Sequence, residues 1–284
     1  TFTPTPAPTA TPTPRPATVV YVQSNGATHN LGLVSSVGQL INGDLHRRAS
    51  APTWAPDGRR VAFYGEPGIS DFGGIYAQGT GVWLIDVPTG ALELLYAVDH
   101  IHSMAWSPDG SKLALEVGPP GVTHQVFIIN AETGEEISRF PGEQPAWGPD
   151  GGELIIKSCN PECGLWRVGF DGGSGRLLTP GSTDSYPTWS PDGRFIVYTS
   201  RATSGDWEIY RLDLETNVVQ PLTSRAGSDT TPVFSSDGRE IYFRTDAYGA
   251  WRVMAMAIDG TGERLVQDDV GVSEDWGLAR PAVK

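Results

Sequence analysis

Five times in 284 residues the chain writes an aromatic residue, a tight turn and an alternating apolar run. The copies are "WAPDGRRVAFY" from Trp54, "WSPDGSKLALE" from Trp106, "WGPDGGELIIK" from Trp147, "WSPDGRFIVYT" from Trp189 and "FSSDGREIYFR" from Phe234. Successive aromatics stand 41 to 52 residues apart, the length of one supersecondary unit that must stack on its neighbours to bury its faces. In the turn, proline presets φ at the second position, aspartate suits the third and glycine takes the left-handed residue that closes a short hairpin. The repeated Asp57, Asp109, Asp150, Asp192 and Asp237 have the look of a metal or catalytic series, yet turn chemistry accounts for all five. A third strand pattern follows each hairpin ("VWLIDV", "VFIINA", "LWRVGF", "EIYRLDL", "RVMAMAI") and a shorter fourth completes the unit. Four antiparallel strands per unit predict an all-β propeller, with the aromatics wedged between blades.

These turns resemble those of the TolB-like, WD-like β-propeller repeat family, whose mark is "WSPDG" between a blade's first and second strands. The resemblance covers nearly all of residues 18–284, and it implies a propeller without fixing an activity. Ahead of the first copy, "TVVYVQS", "LGLVSSV" and "GQLIN" read as strands two to four of a blade lacking its first strand, while "ARPAVK" aligns with "SYPTWS". The expectation is six blades of four strands, closed by a C-terminal inner strand that joins the N-terminal blade. Two segments are expected: an extended Thr/Pro-rich arm or linker at 1–17 and the propeller at 18–284.

A net charge of -13 leaves no basic stripe for nucleic acid or an anionic membrane, and no apolar run is long enough to span a bilayer. The chain opens on Thr with no charged and apolar leader, so the expectation is a processed or trimmed chain whose export signal is gone. Catalytic signatures are missing from the sequence: "GGSGR" at 172–176 is the nearest approach to a nucleophile elbow and sits in a turn. His100 and His102 in "DHIHS" share one strand face beside Asp99, a spacing metals use, and Glu143, Asp184, Asp229 and Asp275 precede inner strands where they could crowd one mouth of the channel. Solvated histidines and screened surface carboxylates explain both patterns, so no cofactor and no metal is expected.

Residues 1–17 are almost wholly Thr, Pro and Ala. Pro4, Pro6, Pro8, Pro12 and Pro14 bias them to a polyproline spacer reaching about 50 Å, and Thr3, Thr5, Thr9, Thr11 and Thr13 are open to O-glycosylation. Cys159 and Cys163 flank a short hairpin, where a disulfide in an oxidising compartment would stabilise by about 2 kcal/mol. The loop at 64–81 carries Ile69, Phe72, Ile75 and Tyr76 among glycines, the composition of a contact surface on a rigid scaffold. Together these features suggest a non-enzymatic, exported propeller acting as an extracellular or cell-surface protein-interaction module. In its extended form the reading is a structural subunit that binds copies of itself through residues 1–17 and builds a filament or tube. The alternatives are a TolB-like periplasmic accessory or binding protein, and a metal-dependent lyase or hydrolase at the channel mouth.

Overall fold

The computed structural model describes residues 18–24, 29–35, 40–47, 49–65, 80–119, 121–173, 175–201, 205–268 and 282–283. The predicted arm at 1–17 and the loop residues Ile69, Phe72, Ile75 and Tyr76 lie outside them.

Strands follow one another in blades. A first group is β1 (Thr18–Ser24), β2 (His29–Ser35) and β3 (Leu40–Arg47). Blade 2 is β4 (Ala49–Trp54), β5 (Arg60–Gly65), β6 (Gly81–Asp86) and β7 (Ala91–Ala97); blade 3 is β8 (Ile101–Trp106), β9 (Lys112–Val117), β10 (Gln125–Asn130) and β11 (Glu136–Pro141). Blade 4 is β12 (Glu143–Trp147), β13 (Glu153–Cys159), β14 (Cys163–Gly169) and β15 (Arg176–Thr179). Blade 5 is β16 (Ser185–Trp189), β17 (Phe195–Ser200), β18 (Glu208–Asp213) and β19 (Val218–Pro221), and blade 6 is β20 (Asp229–Phe234), β21 (Glu240–Thr245), β22 (Arg252–Ala257) and β23 (Arg264–Gln267). Each is an antiparallel meander whose first strand pairs on one side only.

The expectation of six four-stranded blades, closed by a C-terminal inner strand that joins the N-terminal blade, is corrected to five blades of contiguous chain. Five blades are complete, contiguous in sequence and built on the repeated hairpin. The remaining sheet takes its inner strand from the far end of the chain, as β24 (Ala282–Val283), and only Val19 with Val283 and Val20 with Ala282 are paired there. Two residue pairs make a short seam in place of a full inner hairpin, because no turn of the repeated type links β24 to β1.

The turns form as their chemistry dictates. Oδ1 of Asp57, Asp109, Asp150, Asp192 and Asp237 accepts the N–H two residues on, at 2.8 to 3.1 Å. The glycine that follows each aspartate holds φ between 64° and 77°. These glycines also form a chain of contacts: the Cβ positions of Gly110, Gly151, Gly193 and Gly238 lie 3.1 to 3.7 Å from Pro56, Pro108, Pro149 and Pro191 of the preceding blade. The turn proline thus shapes its own hairpin and also supports the next one.

Burial explains the sequence pattern. The second strand of each complete blade is a continuous buried run, since neighbours cover both faces, whereas the outermost strands β7 and β11 alternate and β19 is exposed throughout. The core is accordingly a set of layers between blades. One layer joins Ala51 and Leu84 of blade 2 to Met104, Trp106 and Leu113 of blade 3, and another joins Val126 and Ile128 to Trp147 and Leu154. Val19 packs with Val233, Tyr242 and Trp251, so β1 lies against blade 6.

Candidate functional site

At the turn end of the inner strands, five blades enclose a cavity of about 240 Å³. Its walls include Trp54, Trp106, Trp147, Trp189 and Phe234, with Pro52, Pro56, Pro108 and Pro145 between them. Three bonds between blades brace the walls. Trp106 Nε1 donates to the Thr53 carbonyl at 3.2 Å and Trp147 Nε1 to that of Ala105 at 3.0 Å, each reaching back one blade. The hydroxyl of Thr188 donates to the Pro232 carbonyl at 2.7 Å. Four inner strands also carry a proline, Pro52, Pro145, Pro187 and Pro232, which has no N–H to present from an unpaired edge. What remains is an open socket walled by aromatic rings and prolines, with polar and apolar atoms sharing its exposed lining.

Trp189 departs from the pattern. Its ring lies over Gly148, and its Nε1 donates to Gly193 in its own turn at 3.0 Å.

At the opposite end, the position ten residues after each aromatic holds Tyr64, Glu116, Lys157, Thr199 and Arg244. Four of these reach the next blade. The N–H of His100 meets Tyr64 Oη at 3.3 Å, that of Gln144 meets Glu116 Oε2 at 3.0 Å and that of Thr231 meets Thr199 Oγ1 at 3.1 Å, while Lys157 Nζ donates to Ser185 Oγ at 3.1 Å. The backbone there is unusual: His100, Gln144, Thr231 and Tyr186, the residue after Ser185, all have φ between 51° and 59°, His100 just ahead of β8 and the other three at bulges in the inner strands. Arg244 is buried and stacks 4.9 Å over Trp251, and burial lowers its pKa to about 10.

The sequence candidates fall apart as a metal site. His102 stacks on His124 at 4.4 Å and places Nε2 2.8 Å from the Gly118 carbonyl. Asp229, fully buried, is held by Arg225 Nη2 at 3.0 Å. Among the described residues no group of three or more His, Cys, Asp and Glu could hold a metal ion. Asp275 lies outside them. Cys159 and Cys163 face each other across the β13–β14 ladder, with their sulfurs 2.04 Å apart. The partnership of His124 with Glu116 escaped sequence reasoning; the one signal was the mixed polarity at the tenth position.

A family model described as "TolB beta propeller domain" matches residues 18–206. An uncharacterized protein of Agrobacterium fabrum is 28% identical over 179 residues, 60% of this chain and 59% of that relative. The Tol-Pal system protein TolB of Francisella tularensis subsp. mediasiatica is 44% identical over 55 residues, 19% of this chain and 12% of that protein. The crystal structure of TolB from Acinetobacter baumannii superposes with a TM-score of 0.74 at 22% identity, covering 94% of this chain and 66% of that one. The chain therefore spans less than two thirds of each of these relatives. They overturn the expected extracellular or cell-surface filament: the named relatives are TolB proteins, two of them described as Tol-Pal system proteins. The extracellular, cell-surface and self-assembly readings rested on the composition of residues 1–17, which specifies stiffness and carries no address. With 18–206 inside the match and the blades in place, the chain belongs to the TolB β-propeller domain family.

Proposed function

We propose that the propeller is a TolB-like accessory protein of the periplasm that binds a partner protein across a mouth of its channel. The observation that carries this reading is the open socket of about 240 Å³, whose walls set tryptophan and proline side chains beside polar atoms, with the Trp106 and Trp147 indoles fixed by bonds to the preceding blade. Such a wall gains by covering an apolar or aromatic side chain, while its exposed polar atoms fix the orientation of what enters. Residues 1–17 then serve as a spacer whose threonines can carry glycans, and Ile69, Phe72, Ile75 and Tyr76 supply a second contact.

Titration calorimetry with a Pal protein of a Tol-Pal system tests the reading. Ala105 lines the socket and is only half-buried, so Ala105→Arg fills the space while leaving its backbone carbonyl to Trp147. Loss of a central apolar anchor of about 2 kcal/mol weakens binding by more than tenfold. Equal affinities for the two proteins, or no heat with either, would reject the proposal.

A further inference from the structure

Of the tenth-position side chains, Glu116 gathers the most partners, two within its own blade and one on the next. Its side chain is 5% exposed and takes three donors: Ser103 Oγ at 2.7 Å and the Gln144 N–H at 3.0 Å on Oε2, and His124 Nδ1 at 2.8 Å on Oε1. Gln144 then passes the connection onward, its own Oε1 accepting the Tyr186 N–H at 2.6 Å. Two links in series therefore join blades 3, 4 and 5: Glu116 to Gln144, and Gln144 to Tyr186.

His124 is placed there by the chain around it. A Cβ on Gly118 would meet His124 Cδ2 at 2.4 Å, so the ring can lie against residue 118 only because it is glycine. Behind it stands His102, stacked at 4.4 Å and 17°, with Nε2 donating to the Gly118 carbonyl. The charged groups around the ring are Glu116 on β9, His102 on β8 and Glu143 on β12, with Lys157 of β13 opposite Glu143 in the ladder. His100, also on the approach to β8, is exposed.

We propose that Glu116 and His124 are a proton-operated clasp: uptake of one proton by the His102–His124 stack tightens the hold between blades 3, 4 and 5, and its loss slackens that hold. The chemistry balances simply. His124 Nδ1 donates to Glu116 in either state, and the added proton goes to Nε2, turning a neutral donor into a charged one and roughly doubling the strength of the bond. The Glu116 hydrogen bond raises the pKa of His124, against burial and against His102. A histidine whose folded pKa exceeds its unfolded value of about 6.5 contributes its stabilisation in full below that value and loses it as pH rises through the folded pKa. The clasp is firm in mild acid and slack in mild alkali.

Amide hydrogen exchange on the whole chain at about pH 5.5 and 8.5, corrected for intrinsic rates, reads this directly. Protection at Gln144 and Tyr186 falls severalfold across that range, by linkage to the proton that His124 loses. Thr231, whose N–H is held by the hydroxyl of Thr199, does not titrate and keeps its protection. In His124→Asn, where an amide replaces the imidazole donor, the difference between Tyr186 and Thr231 no longer depends on pH. A parallel NMR titration of the wild type places the His124 ring above the ordinary imidazole value, so the test survives if His124→Asn does not fold. Equal changes at Tyr186 and Thr231, no change at either, or a His124 titration at or below the ordinary value would overturn the proposal.

Discussion

The indole of Trp189 lies directly on Gly148, so closely that a Cβ on residue 148 would meet Cζ3 at 2.7 Å. The other four copies carry Ala55, Ser107, Ser190 and Ser235 at this position, one residue after the aromatic. Glycine here answers to a ring on the next blade, and that displaced ring bonds its own turn at Gly193.

Gly148→Ser, which restores the commonest residue of the repeat, should therefore destabilise the protein by about 1–3 kcal/mol through overpacking. Ser190→Gly, the reverse change in the adjacent blade, removes a hydroxyl bonded to Asp192 and acts through a different cause. Urea midpoints for both, together with near-ultraviolet dichroism to follow the Trp189 environment, would separate them. An unchanged tryptophan signal in Gly148→Ser would contradict the packing argument.

Trp106→Phe keeps the wedge between blades 2 and 3 and deletes the indole donor to the Thr53 carbonyl. The expected cost is about 1 kcal/mol, measured as a shift in urea midpoint with the slope unchanged. A neutral outcome would mean that this link between blades contributes nothing.

Acid should unfold the turns before the core. Hydroxyls of Ser107, Ser190 and Ser235 hold the carboxyls of Asp109, Asp192 and Asp237 below the usual range, with backbone N–H groups adding to the effect. For a carboxylate lowered in this way, the stabilisation is present above its unfolded pKa near 3.9 and disappears as pH falls through the folded value. These groups face water, so each is worth about 0.5 kcal/mol after screening. The triple change of the three serines to alanine should flatten the loss of stability between about pH 4 and pH 2. A wild-type slope in the triple variant would refute this account.

Blade 6 hides a harsher balance. Burial pushes the pKa of Asp229 up, while the hydroxyl of Thr245 and the guanidinium of Arg225 pull it down. Arg225 also reaches Glu263 and sits 5.6 Å over Tyr248. Arg225→Met leaves a buried carboxylate without its cation, a loss of about 3–5 kcal/mol near neutrality. A carboxyl with a raised folded pKa is least costly when protonated, so the deficit should shrink toward pH 4. Stability curves at pH 4 and pH 7 would check the trend, and a deficit that grows in acid would exclude it.

The hairpins were legible because they are local: proline, aspartate and glycine within five residues fix each turn, and alternation fixes the strand after it. The aromatic wedges followed from the repeat alone. The socket depends on where Thr53, Ala105 and Pro232 send their carbonyls, which no single copy reveals. Glu116 and His124 come together only because the β9–β10 connection returns over Gly118, and the spacing of "DHIHS" pointed instead to His100, which stays in solvent. At the tenth position, however, five unlike polar residues in an otherwise uniform repeat were visible from the start. Divergence among copies marked the inter-blade contacts better than similarity did.

The prolines of the innermost strands have one more effect. An intruding stretch of extended chain would normally find a free sheet margin and zip onto it, residue after residue; here Pro52, Pro145, Pro187 and Pro232 break the row of donors before such zipping can spread. At those four strands an entering segment meets side chains rather than an unbroken run of N–H groups, which leaves β8, free of proline, as the one complete inner strand among the described residues able to offer such a run.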